Sequence, residues 1–165
     1  MDRLLPSVRY GPEVCRNLES ATRLEWLETN GLGGFASSTI CGINTRRYHA
    51  LLTAATTPPT GRVALLNKID ETISIGNRSW ALGANRFPGA IHPMGHLNLF
   101  EFRIDPFPRW IYRIGENLLE KTLFMPYGRN TVVIIYRWVD DNLQPLPESM
   151  CPSATLKAKL FTSFR

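Results

Sequence analysis

The chain has 165 residues, 44% of them apolar, a net charge of +5, and twelve each of proline and glycine. That length fits one domain with a buried core, and the composition excludes a disordered or fibrous protein. No stretch has the apolar length of a membrane span, and the basic residues, apart from Arg46-Arg47, are too dispersed to indicate a nucleic-acid partner.

Cys15, Cys41 and Cys151 are odd in number, far apart and without a C-x-x-C pair, so zinc sites and disulfide frameworks have little support. A reduced, cytoplasmic setting is the default, and the N-terminal residues carry no pattern of a secretory signal. Prolines and glycines spread along the chain predict many short elements joined by turns, hence β rather than helical architecture.

In chain order, residues 1–22 read as a loosely structured lead-in. From Arg62 the sequence reads as successive strands. Ile73 and Ile75 alternate before Gly76-Asn77, and Trp80 and Leu82 alternate after it, which is a hairpin signal because both turn residues tolerate positive φ. Phe100, Phe102 and Ile104 follow at period two, with Leu97 and Leu99 out of phase, so a bulge or bend is expected near Leu99. "WIYRI" places Trp110, Tyr112 and Ile114 on one face, and Gly115-Glu116-Asn117 is a candidate turn. "NTVVIIYRWV" is apolar on nearly both faces, as expected of a central strand. Residues 140–165, with three prolines after Val139 and no evident alternation, are set apart as a divergent tail. The pattern predicts a mainly β protein, an antiparallel β-sandwich with few or no helices.

Residues 28–52, "ETNGLGGFASSTICGINTRRYHALL", are least easily explained by packing. "GLGGFA" satisfies the dinucleotide spacing G-x-G-x-x-G/A, but its exit is hydroxyl-rich, β-branched and broken by Gly42, where a helix is required. The next acidic residue after Glu28 is Asp70, too distant to hold a ribose, and no Gly-Lys-Ser/Thr supplies a Walker loop. Glycosidase chemistry needs two facing carboxylates. Glu25, Glu28, Asp70, Glu71, Glu101 and Asp105 have no spacing that pairs them, and solvated charges on strand edges are the expectation. No G-x-S-x-G elbow occurs, and Pro93 and Gly95 argue against a helix aligning His92 with His96 as metal ligands.

Polyol recognition fits the residue types better. Sugars are held by planar polar groups and by aromatic faces against the ring C–H surface. Asn30, Asn44, Arg46, Arg47, Tyr48 and His49 supply such groups beside a glycine-rich backbone. The equally supported alternative is that Arg46 and Arg47 pair with Glu25 and Glu28 in a β corner.

Trp26, Leu27, Thr29, Asn30, Gly31, Gly33, Gly34 and Phe35, followed by Asn44, Thr45, Arg46, Arg47, Tyr48, His49, Leu51 and Leu52, form two ordered motifs. With "GRVALLNKIDETI", "FEFRIDPFPRWIY" and "LEKTLFMPYGRNTVVIIYRW", they resemble the N-terminal domain of bacterial and archaeal glycogen debranching enzymes over residues 23–139. Ala50 stands where that family usually has Gly, and Phe35 where it often has Tyr.

The resemblance implies an incomplete, supersandwich-like domain of an amylo-α-1,6-glucosidase, whose parent activity hydrolyses α-1,6 branch points in glycogen. The family's catalytic carboxylates lie in an α/α barrel, so this chain is expected to be inactive alone and to need that barrel as partner, in cis or in trans. The implied substrate-binding or cleft-shaping residues are Trp26, Asn30, Gly31, Gly33, Gly34, Asn44, Arg46, Arg47, Tyr48 and His49, with α-glucan as ligand and no cofactor, metal, nucleic acid or membrane. Tyr48 or Trp26 would stack on a sugar or belong to the core. The alternative role is a stand-alone α-glucan-binding module.

Overall fold

The computed structural model describes residues 7–163. In chain order its elements are β1 (Val8–Tyr10), α1 (Pro12–Cys15), α2 (Leu18–Ala21), β2 (Glu25–Thr29), β3 (Phe35–Thr39), β4 (Ala50–Thr57) and β5 (Gly61–Ile75). They continue with β6 (Arg78–Ala81), β7 (Ala84–Phe87), β8 (Ala90–Met94), β9 (Leu99–Ile104), β10 (Pro108–Ile114), β11 (Asn117–Phe124), β12 (Val133–Val139) and β13 (Thr155–Thr162). One sheet runs β1-β9-β10-β11-β12. The other runs β13-β5-β4-β3-β2, with β6 also on β5, and β7 and β8 form a separate hairpin. All the strand pairings are antiparallel. The mainly β, antiparallel sandwich expected from the sequence is therefore the observed fold.

Alternation decides which side chains fill the space between the sheets. Trp26, Ala36, Leu51 and Ile73 come from one sheet; Phe102, Trp110, Tyr112, Ile114, Leu119 and Leu123 come from the other. Trp26 and Trp110 meet edge to face across the layers, ring centroids 5.2 Å apart. Their indole N–H groups donate to the carbonyls of Thr39 (3.3 Å) and Ile40 (2.8 Å), so neither buried donor is stranded.

A buried ion pair also links the layers. Lys121 of β11 donates to Glu71 of β5, and the Tyr136 hydroxyl of β12 donates to the same carboxylate oxygen. Lys121 and Glu71 are both buried. The Lys121 ammonium also lies 5.5 Å from the Trp110 ring centroid and 6.0 Å from that of Tyr136. Burial, and then the Glu71 charge, push the Tyr136 hydroxyl well above its ordinary pKa, which keeps it a donor.

Several expectations are realised locally. The β5–β6 hairpin closes Ile75 on Arg78 around Gly76-Asn77, with Gly76 at φ 56°. Gly115-Glu116 turns β10 into β11, with Asn117 already paired to Ile114. The register shifts where Tyr112 pairs with Leu99 and Ile111 with Glu101, leaving Phe100 as the extra residue of a bulge. That bulge moves Phe100 off the Phe102 face, into a small outer cluster with Ile111, Leu118, Val139 and Leu143.

Other expectations are corrected. The described part of the lead-in is ordered: β1 pairs with β9, Pro12 occupies the first turn of α1, and the Asn17 side chain caps α2 by accepting from the Ser20 N–H. Three strands, β2 to β4, precede Arg62. β12 is an edge strand, not a central one: Ile134, Tyr136 and Trp138 face the core, while apolar Val133 and Ile135 on its other face are only half buried. Glu71 and Glu101 are not solvated; Glu101 is buried between Arg9 (2.7 Å) and Arg103 (2.6 Å). Residues 140–165 contribute β13, whose eight exposed residues pair with β5. Before it, the chain folds back on β12 through a Val139–Pro145 bridge.

Stranding one charge of a buried pair costs far more than exchanging both for apolar groups. Lys121→Met is expected to lower the free energy of unfolding by about 3–5 kcal/mol in denaturant titration. The double replacement with Glu71→Leu is expected to recover more than half of that loss.

Candidate functional site

The β2–β3 turn is built around one side chain. Asn30 is fully buried and uses all of its hydrogen-bonding capacity. Its Oδ1 accepts from the N–H groups of Leu32 and Gly34, each at 3.0 Å, and its Nδ2 donates to the Arg129 carbonyl and Asn130 Oδ1, each at 3.0 Å. Its carbonyl accepts from the Gly128 N–H at 2.7 Å. Asn130 passes the connection on, with Oδ1 accepting from Ala55 N (2.9 Å) and Nδ2 donating to Ala55 O (2.8 Å). The glycine-rich turn is thereby tied to the β11–β12 loop and to β4.

The glycines fit that knot. Gly31 has φ 75°, and a Cβ there would sit 2.2 Å from the Tyr127 ring. A Cβ on Gly34 would lie 2.6 Å from Asn30 Nδ2 and 2.9 Å from the Thr53 carbonyl. Gly33, φ 95°, packs against the Pro59 carbonyl.

The β3–β4 loop is braced similarly. Asn44 accepts from the Ser38 hydroxyl (2.8 Å) and donates to the carbonyls of His49 (3.3 Å) and Asn67 (3.2 Å). His49 is buried, and its Nδ1 accepts from the Thr45 N–H at 3.1 Å, which places the ring proton on Nε2, 3.5 Å from Glu25 Oε1. Arg46 Nε donates to the same carboxylate oxygen at 2.6 Å. Arg47 lies over the ring of Tyr48, 5.5 Å from its centroid. Glu25 is thus the partner of Arg46, as the β-corner alternative expects, whereas Arg47 pairs with an aromatic ring.

Both loops border one shallow shelf on the outer face of the β2–β3–β4–β5 ladder. Phe35 stands at its centre, shared by three adjoining hollows of about 320, 440 and 300 Å³. Thr53, Tyr48 and Arg62 line the first, Leu27, Gly31, Gly33 and Gly34 the second, and Glu25, Arg46 and His49 the third. Leu27 and Tyr48 are each 59% exposed, and the Arg62 guanidinium lies 6.0 Å from the Phe35 centroid. Thr53 Oγ1 is buried at this surface without a hydrogen-bond partner among the described residues. Trp26, by contrast, points into the core at 3% exposure, so of the two aromatic candidates Tyr48 alone offers an open ring.

Arg46, Tyr48, His49 and the three glycines therefore lie together at the shelf. Asn30 and Asn44 serve the backbone, and Trp26 serves the core. Leu27 and Phe35, named from sequence only as motif residues, and Thr53, Arg62, Tyr127 and Asn130 are the contributors not expected at the site. Outward alternation of Leu27 and Phe35 with Trp26 and Ala36 was the signal for two of them. Among the described residues, no group of three His, Cys, Asp or Glu is placed to hold a metal ion.

Asn30→Ala leaves several buried groups unpaired and is expected to cost at least about 3 kcal/mol of unfolding free energy, whereas Arg47→Ala, at the surface, costs less than about 0.5 kcal/mol. Both are read by denaturant titration. Burial lowers the His49 pKa below 6.5, a shift that Glu25 opposes and Arg46 reinforces. The unfolded chain therefore takes up the proton first. Stability is whole above pH 6.5 and declines as the pH falls from there toward the lowered folded value. His49→Gln is expected to flatten that decline when unfolding is compared at about pH 7.5 and about pH 5.5.

A family model described as Glycogen debranching enzyme N terminal matches residues 24–165, including residues 140–165. Comparisons with curated proteins and with solved structures give no match. Two braced motif loops on one face of a sandwich, and a family match over most of the sequence, lead to one conclusion: the chain belongs to the glycogen debranching enzyme N-terminal family.

Proposed function

We propose that this domain is a non-catalytic brace of a debranching enzyme that hydrolyses α-1,6 branch points in α-glucans. Its shelf packs against the catalytic α/α barrel, and its two loops form part of the wall of the substrate cleft. One observation carries this reading: the polar side chains of the motifs are already consumed inside the domain, and what they present outward is largely apolar, aromatic and arginine-bearing. Asn30 has no free amide group for a sugar, both N–H groups of the Asn44 amide go to backbone carbonyls, and Glu25 is held by Arg46 and His49. Phe35, Tyr48 and Arg62 are the kinds of residue that anchor protein interfaces, and exposed Leu27 adds apolar area beside them.

The open ring of Tyr48, with Arg47 against it, supports a second reading as a stand-alone α-glucan-binding module. The two separate in binding experiments with the purified chain. The brace reading expects the chain to bind a catalytic barrel domain supplied in trans, with Leu27→Asp or Arg62→Glu weakening the complex about tenfold or more. It also expects no saturable binding of maltoheptaose. Saturable maltoheptaose binding by the chain alone, lost in Tyr48→Ala while the fold is retained, would replace the brace by the module.

A further inference from the structure

A second opening lies elsewhere on the protein, a cleft of about 790 Å³ between the β7–β8 hairpin and the ladder of β5 with β13. Its polar residues fall into two sets. Lys68 donates to the Ala84 carbonyl and to Asn85 Oδ1 and lies 3.4 Å from Asp70 Oδ1. Asn85 Nδ2 donates to Asp70 Oδ2 at 2.7 Å, and the Asn44 amide is occupied as described above. These four residues largely serve one another or the backbone; Asp70 Oδ1 has no hydrogen bond among the described residues, but it is buried beside the Lys68 ammonium rather than open to the cleft.

The second set is free of polar partners, although Lys159 Nζ lies over the Phe161 ring, 5.2 Å from its centroid. Arg86, His92 and Lys159 line the cleft, and none has a hydrogen bond or ion pair among the described residues. Three cations and one carboxylate line the opening, and that carboxylate belongs to Lys68 and Asn85. A neutral sugar hydroxyl both donates and accepts, so a site for neutral glucan needs free acceptors as well as donors. Here the free side-chain charges are all donors, which favours a ligand bearing an anion.

The walls add a second requirement. Phe87 of the hairpin is 54% exposed and Phe161 of β13 is 37% exposed, and both line the cleft. Aromatic faces of this kind suit the C–H surface of a pyranose ring, and the volume suits a small organic molecule. We propose that this cleft binds a phosphorylated hexose. Arg86 and Lys159 hold the phosphate, Phe87 and Phe161 bracket the sugar ring, and His92 donates to an ester or hydroxyl oxygen. Asn44 and Thr45 also line the cleft, so its ligand reaches the loop whose other end, Arg46 to His49, borders the shelf.

Calorimetric titration of the whole chain with glucose 6-phosphate, glucose and inorganic phosphate tests this. Saturable binding of the sugar phosphate is expected, with glucose and inorganic phosphate each about tenfold weaker or more, because each lacks one half of the contacts. The double variant Arg86→Gln/Lys159→Gln is expected to weaken the sugar phosphate about tenfold or more, and Phe87→Ala to weaken it without affecting inorganic phosphate. All three side chains are exposed, so unchanged circular dichroism and melting are expected of the variants. Tyr48→Ala on the shelf is expected to leave this binding unaltered, which separates it from the fate of the brace reading. Inorganic phosphate binding as tightly as the sugar phosphate, glucose binding as tightly, or no saturable binding of the sugar phosphate would each overturn the proposal.

Discussion

Glu71 and Lys121 reach each other through the middle of the sandwich, and neither can leave without stranding the other's charge among aromatic rings. An apolar interface between two sheets tolerates sliding, because one aliphatic contact resembles the next. A buried ion pair does not. It permits only the registers in which β5 presents Glu71 opposite the inward lysine of β11, with Tyr136 of β12 completing the carboxylate's contacts. Trp26 and Trp110 repeat the constraint a short way off, each indole N–H finding a carbonyl at the end of β3 or just beyond it. The inward face of the β2–β5 sheet is thereby fixed, and with it which residues of that sheet look outward.

The outward face inherits its shape from that choice. Turning Trp26 inward turns Leu27 outward, and burying Ala36 leaves Phe35 on the surface. The motif loops then have to leave and re-enter the sheet at its corners. Each does so around one asparagine, Asn30 in the first turn and Asn44 in the second. An asparagine can donate twice and accept twice, so a single side chain can stand in for a short piece of secondary structure where the backbone cannot pair with itself. Such a residue looks functional in a sequence because it is polar and lies in a loop. Here its chemistry is spent on the fold, and one oxygen of the Glu25 carboxylate is held in the same way.

How much of this is legible in sequence depends on whether the signal is local. The hairpins at Gly76-Asn77 and Gly115-Glu116 are readable because turn chemistry and alternation sit in adjacent residues. The outward Tyr48 and inward Trp26 are not, since either aromatic suits either face until the register is known. "VVIIYRWV" suggests a central strand because edge strands are expected to be polar, yet β12 is an edge with half-buried apolar residues on its outer side. Glu71 and Glu101 mislead for a related reason: their burial depends on partners fifty residues away, Lys121, or ninety-two, Arg9, and the nearby Arg103 beside Glu101 looks in sequence like an ordinary surface charge. β13 does carry an alternation, Leu156, Ala158 and Leu160 against Lys157 and Lys159, but it escapes notice because the run is short and follows a stretch broken by three prolines. Asn130 carries no local pattern at all; its importance lies in the distance it spans, to Asn30 and to Ala55.

The central claim is that the motif loops are rigid parts of the domain and that contact with the rest of the enzyme falls to the shelf between them. Backbone amide hydrogen exchange, measured on the chain alone and again with a catalytic barrel domain, tests it most directly. The account predicts that the amides of Leu32, Gly34, Thr45, Ala55 and Gly128 are already slow to exchange in the chain alone. Added protection on mixing is then confined to Leu27, Phe35, Tyr48, Arg62 and their neighbours. Loop amides that exchange freely in the isolated chain, and become protected only when α-glucan is added, would contradict it.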